Sequence, residues 1–155
     1  MTTDHSLTKR IAMYLVENDL NPSLSLSSDP KSKIYTIQRD LSYRRKLYAS
    51  FYDHDGKGVE QAGEESYLEL RLDPSSNDQF GFLIVDSGLK GNIDDPSLTF
   101  IVTGDKFFGE SHCVELSRRD FTEKQKDYFQ ARFDSVVAGF YRALTRKPKV
   151  GRRKR

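Results

Sequence analysis

The spacing of apolar residues divides the chain into a helical beginning, an alternating middle and a helical end. Near the N-terminus, Leu7, Ile11 and Leu15 recur every four residues and predict an amphipathic helix over roughly residues 7–20. The Asn-Pro pair at 21–22 ends this helix, because the residue before a proline disfavours the helical backbone conformation. A polar, serine-rich segment follows it.

Short runs of alternating apolar and polar residues fill the middle of the chain, after a predicted connector over residues 23–32. Clusters of Gly, Asp, Asn and Pro separate the runs, and such clusters favour turns between β-strands. We therefore predict an antiparallel meander of five or six strands. The runs span residues 33–39, 43–52, 67–72, 80–86, 98–103 and 111–117.

The clearest single element is an amphipathic helix predicted over residues 123–144. Thr122 can cap its first turn, and Gln125, three residues later, completes the pattern of a capping box. An apolar stripe follows at helical spacing, and so many exposed phenylalanines would favour aggregation. The stripe must therefore pack against the sheet or against a second copy of the chain, and we treat it as a candidate interaction helix. It comprises Phe129, Phe133, Val137, Phe140, Tyr141 and Leu144.

Helix, meander and helix in this order indicate an α+β fold in which the helices are segregated from the strands. Of the 155 residues, 36% are apolar and 31% are charged, which is enough for one core beneath a heavily solvated surface. We expect a single domain over residues 1–145 and a disordered, flexible basic tail over residues 146–155. Pro148 and Gly151 disfavour a continuing helix there.

One predicted strand carries a row of basic and aromatic side chains. Alternation places Arg44, Lys46, Tyr48 and Tyr52 on one face of the second strand, opposite an apolar set that includes Leu47. The next strand places three leucines on one face, which marks the core side, and a tyrosine, a glutamate and an arginine on the other. If the two strands pair, a platform of Tyr, Lys and Arg side chains faces water.

Two interpretations of this platform stand side by side. Basic groups interleaved with rings suit single-stranded nucleic acid, because cations neutralise phosphates while rings stack on bases of any sequence. Tyrosine and arginine are also common on the solvated face of an ordinary antiparallel sheet, where Arg71 would simply pair with a neighbouring carboxylate. Glu69, on the same face, weakens the nucleic-acid interpretation.

The formal net charge of +2 conceals two opposed regions. Residues 1–141 carry 17 basic and 23 acidic side chains, a net charge of −6, whereas residues 142–155 carry eight basic side chains and no acidic one. A basic arm on an acidic body is typical of proteins that contact nucleic acid, an import receptor or an anionic membrane surface, and it can also serve solubility alone. The basic residues are Arg142, Arg146, Lys147, Lys149, Arg152, Arg153, Lys154 and Arg155.

Catalytic chemistry would have to come mainly from three histidines and one cysteine. His112 and Cys113 are adjacent in a predicted strand, so their side chains point to opposite faces and cannot form a nucleophile–base pair. His54 lies in an Asp-His-Asp-Gly turn whose spacing does not fit a calcium loop. The chain also lacks phosphate-binding glycine loops, a nucleophile elbow and metal-ligand Cys/His spacing. We therefore expect no enzymatic activity, no cofactor and no metal site.

The chain contains no run of 18 apolar residues, and its first residues lack the layout of a secretory signal. A single cysteine cannot close a disulfide within the chain, which agrees with a reducing compartment. We expect a soluble, intracellular protein without a membrane span. It would be cytoplasmic, or nuclear if the source has a nucleus.

These patterns favour a non-enzymatic accessory protein that binds DNA, RNA or a nucleoprotein complex. Its basic arm would contact phosphates, and the aromatic platform would stack on bases. The alternative is a protein-interaction module, such as an adaptor, inhibitor or chaperone, whose acidic body or C-terminal helix carries the contact, with a homodimer through that helix as one form. The basic tail would then be a localisation signal.

Overall fold

We describe the fold from a computed structural model of the chain. The structure describes residues 6–24, 31–41, 46–63, 65–73, 81–95, 97–103, 114–115 and 122–146. Within these residues, two α-helices flank seven β-strands along the chain. They are α1 (Leu7–Asn18), β1 (Ser23–Leu24), β2 (Lys33–Asp40), β3 (Lys46–Asp53), β4 (Tyr67–Leu72), β5 (Gly81–Ser87), β6 (Thr99–Thr103), β7 (Val114–Glu115) and α2 (Glu123–Thr145).

The strands form one antiparallel sheet in which each strand pairs with the next along the chain, from β1 to β7. This connectivity is a meander between two helices, so the predicted α+β fold is confirmed. The longer strands β2 to β6 closely match five of the predicted runs, and β7 lies within the sixth. Strand β1 is an addition, because Ser23 and Leu24 pair with β2 within the predicted connector.

Alternation along the strands gives the sheet one buried and one partly exposed face. On β3, Leu47, Ala49 and Phe51 are at most 3% exposed, whereas the intervening Tyr48 and Tyr52 are half-buried. Strand β4 repeats the alternation in register, so each face is continuous from strand to strand. We call the buried side the inner face and the opposite side the outer face.

Both helices pack on the inner face. Ile11 and Leu15 of α1 are fully buried in the core that the helices share with the sheet. The ring of Phe133 in α2 meets that of Phe100 in β6 edge to face, with 5.3 Å between centroids. A second edge-to-face ring contact joins α2 to β5. The single core therefore lies between the two helices and the inner face, and neither helix covers the outer face.

Helix α2 is fixed at both of its ends. The side chain of Thr122 accepts a hydrogen bond from the backbone N–H of Gln125, and the Gln125 side chain accepts one from the backbone N–H of Thr122, so the predicted capping box is confirmed. At the other end, Nε of Arg39 in β2 donates to the carbonyl of Leu144 at 3.0 Å. The same guanidinium donates to the Tyr14 hydroxyl. Arg39 thus joins β2 to both helices.

Asp86, near the end of β5, is a fully buried carboxyl. Its oxygens accept hydrogen bonds from the backbone N–H groups of Lys90 and Gly91, at 3.1 and 2.8 Å, and from the side chain of Thr8. Ser6, the N-cap of α1, donates to a carbonyl of the same loop. These contacts tie the start of α1 to the loop after β5. Burial nevertheless outweighs them and raises the pKa of Asp86.

Gly139 lies in the interior of α2 without a steric reason for glycine. Among the described residues, a Cβ atom there would meet only the guanidinium of Arg142, at the ordinary contact distance of 3.8 Å. Because glycine lowers helix stability relative to alanine, we expect Gly139→Ala to raise the free energy of unfolding by about 0.5–1 kcal/mol. Urea denaturation followed by circular dichroism measures the change.

Gly56→Ala is the matched control for that substitution, because this glycine is required where Gly139 is not. Gly56 turns the chain after β3 with a φ of 68°, and an added Cβ would lie 2.5 Å from the Lys31 side chain. The control variant should therefore lose stability. A Gly139→Ala variant that is no more stable than the wild type would contradict the expectation.

Candidate nucleic-acid interface

The pairing of β3 with β4 assembles the predicted platform on the outer face. Tyr48 lies opposite Arg71, and Tyr52 lies opposite Tyr67, with all four side chains half-buried. Lys46, at the start of β3, is exposed. Because both helices pack on the inner face, neither of them covers these side chains. Lys46, Tyr48 and Tyr52 are thus brought onto one surface, as the alternation predicts.

The first contact on the platform joins Arg71 to Tyr48. The guanidinium carbon lies over the tyrosine ring, 4.2 Å from its centroid. Nε of the same guanidinium lies 3.3 Å from the carboxylate of Asp73. The arginine is therefore held against the ring, and the carboxylate offsets part of its charge. The ion pair is typical of an ordinary sheet face, while the cation–π contact presents a planar cation at the surface.

The second contact is an aromatic cluster formed by Tyr52, Tyr67 and His54. The two tyrosine rings are stacked, with centroids 4.4 Å apart and planes inclined by 18°. The His54 ring lies 6.0 Å from Tyr52 and 5.8 Å from Tyr67. The predicted site residues include neither Tyr67 nor His54. The alternation of β4 places Tyr67 on the outer face. His54 follows β3 directly, in the turn after Asp53, so the strand alternation alone does not place it.

Burial and a neighbouring carboxylate act on both tyrosines of the stack. Burial first, and then the negative charge of Glu69, raises the pKa of Tyr52 above the ordinary tyrosine value. Burial first, then the neighbouring Tyr52 and then Glu69 raise the pKa of Tyr67 in the same way. Both rings therefore stay uncharged at neutral pH. Glu69 and Asp40, which pairs with Lys46 across the β2–β3 ladder, partly balance the basic groups of this face. The outer face alone thus has little net attraction for a polyanion.

The basic arm, residues 142–155, begins at the C-terminal end of α2, on the inner side of the sheet. Arg142 and Arg146 are exposed at the C-terminal end of α2. The hydrogen bond from Arg39 fixes that end of α2 against β2, next to the residue that pairs with Lys46. The remaining predicted phosphate contacts lie outside the described residues. They are Arg44, Lys147, Lys149, Arg152, Arg153, Lys154 and Arg155.

The apolar stripe of α2 packs on the chain's own sheet. Four of the six residues predicted for the interaction helix are at most 3% exposed within a single chain. They are Phe133, Val137, Phe140 and Leu144. Phe129 and Tyr141 are half-buried against the same core, and Tyr128, beside Phe129, is 44% exposed. The sheet, one of the two covers that the sequence allowed, thus accounts for most of the stripe.

Asp53, the last residue of β3, and the turn after it are tied to the fold. Asp53 is 5% exposed and accepts a hydrogen bond from the backbone N–H of Gly58 at 3.2 Å, while Val59 is buried in the core. Burial, and then the neighbouring Asp55 carboxyl, raises the pKa of Asp53. Within the described residues, no three His, Cys, Asp or Glu side chains converge as metal ligands would. His112 and Cys113 lie outside the described residues.

In the part of the chain that the structure describes, neither helix combines the length and the apolar composition that a membrane crossing requires. No protein-family model, curated protein or solved structure matches the chain. The contacts and charges described above are therefore what bears on its function.

Proposed function

We propose that this protein is a non-enzymatic nucleic-acid-binding protein whose basic arm contacts phosphates. The observation that carries the proposal is the division of charge, with +8 on residues 142–155 and −6 on the rest of the chain. Lysine and arginine side chains that neutralise phosphates release condensed counterions, and this release supplies most of the affinity of sequence-independent binding. The arm thus provides the attraction that the nearly balanced outer face lacks.

The position of the arm supports a joint role with the platform. Arg142 and Arg146 begin the arm at the end of α2, which Arg39 holds at the inner face near the end of the sheet that carries Lys46. From there the arm would pass around that end of the sheet to reach the outer face. The acidic body repels a polyanion at long range, so the encounter begins at the arm. The repulsion falls off over about 10 Å at 0.1 M salt, and at close range the nearly balanced charges of the outer face add little to it.

The side chains of the outer face suit binding better than catalysis. Tyr52 and Tyr67 keep their protons at neutral pH, because the ordinary pKa of tyrosine is already near 10 and burial raises it further. Arg71 is already engaged by a ring and a carboxylate. Rings and planar cations stack on bases without any chemical step.

Removing the last nine residues should weaken oligonucleotide binding and flatten its salt dependence. Deletion of residues 147–155 keeps Arg146, the C-cap of α2, and removes six basic side chains. If each of the six neutralises one phosphate of a single strand, the slope of log affinity against log salt becomes shallower by about 4. We expect at least about a tenfold loss of affinity at about 0.1 M salt. Fluorescence anisotropy with labelled oligonucleotides over a salt series measures both quantities.

Two further variants separate charge from chain length and from general surface charge. Replacing the same six basic residues with glutamine keeps the length and should behave like the deletion. Lys124→Gln removes an exposed charge from the opposite end of α2 and should leave the salt slope nearly unchanged. If deletion of residues 147–155 changes neither affinity nor slope, the proposed function is wrong.

A further inference from the structure

The aromatic stack on the outer face stops at Tyr67, beside a small side chain. The register aligns Tyr52, Tyr67 and Ser87 across β3, β4 and β5. Ser87 lies beyond Val85, the last residue of β5 that pairs with β6 in the described ladder. The register thus places the small side chain of Ser87, and no third ring, next to Tyr67 on the strand away from Tyr52.

We propose that single-stranded nucleic acid occupies the outer face, with one unpaired base extending the stack against Tyr67 above Ser87. This inference rests on the proposed function, which supplies the ligand class. A neutral ring stacks on any base, and such stacking contributes to single-strand binding without a sequence requirement. Bases inside a duplex already stack on their neighbours, so unpaired bases are the ones that can reach Tyr67.

A second stacking position lies further along the same strands. Tyr52 lies four positions after Tyr48 on β3, which corresponds to about 13 Å at the usual rise of a strand. The guanidinium of Arg71 lies over Tyr48 there and offers a planar cation to a second base. Two positions this far apart suit an extended strand that runs along β3 and β4, and they are too distant for one base to occupy both.

Glu69 fixes the orientation of such a strand. It lies between the two stacking positions, on the same face of β4 as Tyr67 and Arg71. A carboxylate repels a phosphate but accepts hydrogen bonds from the exocyclic amino groups of bases. The bases would therefore face the sheet and the phosphates would face solvent, where the basic arm can contact them.

Binding of the full-length chain to a labelled single strand and to the matching duplex tests the inference. Tyr67→Ala should weaken single-strand binding by about 5- to 150-fold, the range for loss of one stacked base. Duplex binding and the salt slope should change little, because the arm keeps its charges. Tyr128→Ala is the matched control, since it removes a 44% exposed tyrosine from α2, which packs on the other face of the sheet.

Ser87→Leu is a second variant that leaves both tyrosines in place. Leucine at this half-buried position fills the space beside Tyr67 and should weaken single-strand binding selectively. Tyr67→Phe keeps the ring and should bind like the wild type. Circular dichroism and thermal unfolding of each variant report whether the fold is intact, so a loss of binding can be assigned to the surface.

Four results would overturn the inference. If folded Tyr67→Ala and Ser87→Leu bind the single strand like the wild type, or lose single-strand and duplex binding equally, stacking at Tyr67 is excluded while the arm's function stands. If deletion of residues 147–155 raises single-strand affinity, the arm itself occupies the face and the inference is wrong. If the wild type binds neither oligonucleotide, the proposed function fails, and the stacking site fails with it.

Discussion

Phe133→Ala is expected to lower the free energy of unfolding by about 3–5 kcal/mol. Phe133 is 1% exposed, and its ring meets Phe100 of β6 edge to face, so alanine leaves a cavity between α2 and the inner face. The loss combines the transfer free energy of the removed ring with the cost of that cavity. Urea unfolding at several protein concentrations measures its size and shows whether it arises within one chain.

The concentration series distinguishes packing of the apolar stripe on the chain's own sheet from packing on a second copy of the chain. If α2 packs only on its own sheet, the unfolding midpoint does not depend on protein concentration in the wild type or in Phe133→Ala. A midpoint that rises with concentration in the wild type alone would instead show that the stripe joins two copies. Tyr128→Ala, at a 44% exposed position on the same helix, should stay within about 0.5 kcal/mol of the wild type. If Phe133→Ala lowers the free energy of unfolding by less than about 1 kcal/mol, the packing of α2 on the inner face is contradicted.

Most of the fold could be predicted because local patterns and tertiary packing agree. The strict alternation of β3 and β4, and the capping box that begins α2, are signals contained in short stretches of sequence. Strand β1 carries no such signal, since two residues are too few to show a period and its pairing depends on where β2 lies. The sequence also does not specify that both helices share the inner face, because an apolar stripe shows that a helix is covered and not what covers it.

The candidate site could be predicted strand by strand but not across strands. Alternation is enough to place Tyr48 and Tyr52 together on one face of β3. The stack of Tyr52 with Tyr67 depends on the register between two strands, and a shift of one residue would have sent Tyr67 to the inner face. The position of His54 beside the stack depends on the turn that follows β3. Register and turn geometry are set by the whole sheet, so periodicity on one strand cannot supply them.

The arm and the outer face would respond differently to salt. Phosphate contacts made by the arm release counterions, so their share of the affinity falls steeply as salt rises. Stacking on uncharged rings depends little on ionic strength. Binding that persists at high salt would therefore report the outer face, and variants of Tyr67 should have their clearest effect under those conditions.

Asp86→Ala is expected to lower the free energy of unfolding by about 2–6 kcal/mol. Asp86 is fully buried, and alanine removes the acceptor of the backbone N–H groups of Lys90 and Gly91. Each buried donor left without an acceptor costs about 1–3 kcal/mol. Asp94→Ala, which removes an exposed carboxylate of the same loop and its ion pair with Lys126, should cost less than about 1 kcal/mol. A loss for Asp86→Ala no larger than for this control would contradict the role of Asp86 in tying α1 to the loop.

The stability that Asp86 contributes should also depend on pH. Burial raises the pKa of Asp86 in the folded chain above its value in the unfolded chain, which is near 3.9. The folded state therefore binds the proton more tightly, so this part of the stability is fully present below about pH 3.9 and is lost as pH rises through the folded pKa. Asp86→Asn has no such titration. The unfolding free energy of the wild type minus that of Asp86→Asn should therefore fall as pH rises from about 3.5 to neutrality. Urea titrations of both proteins across this pH range measure the change. If the value for the wild type minus that for Asp86→Asn stays constant or rises with pH, the raised pKa is contradicted.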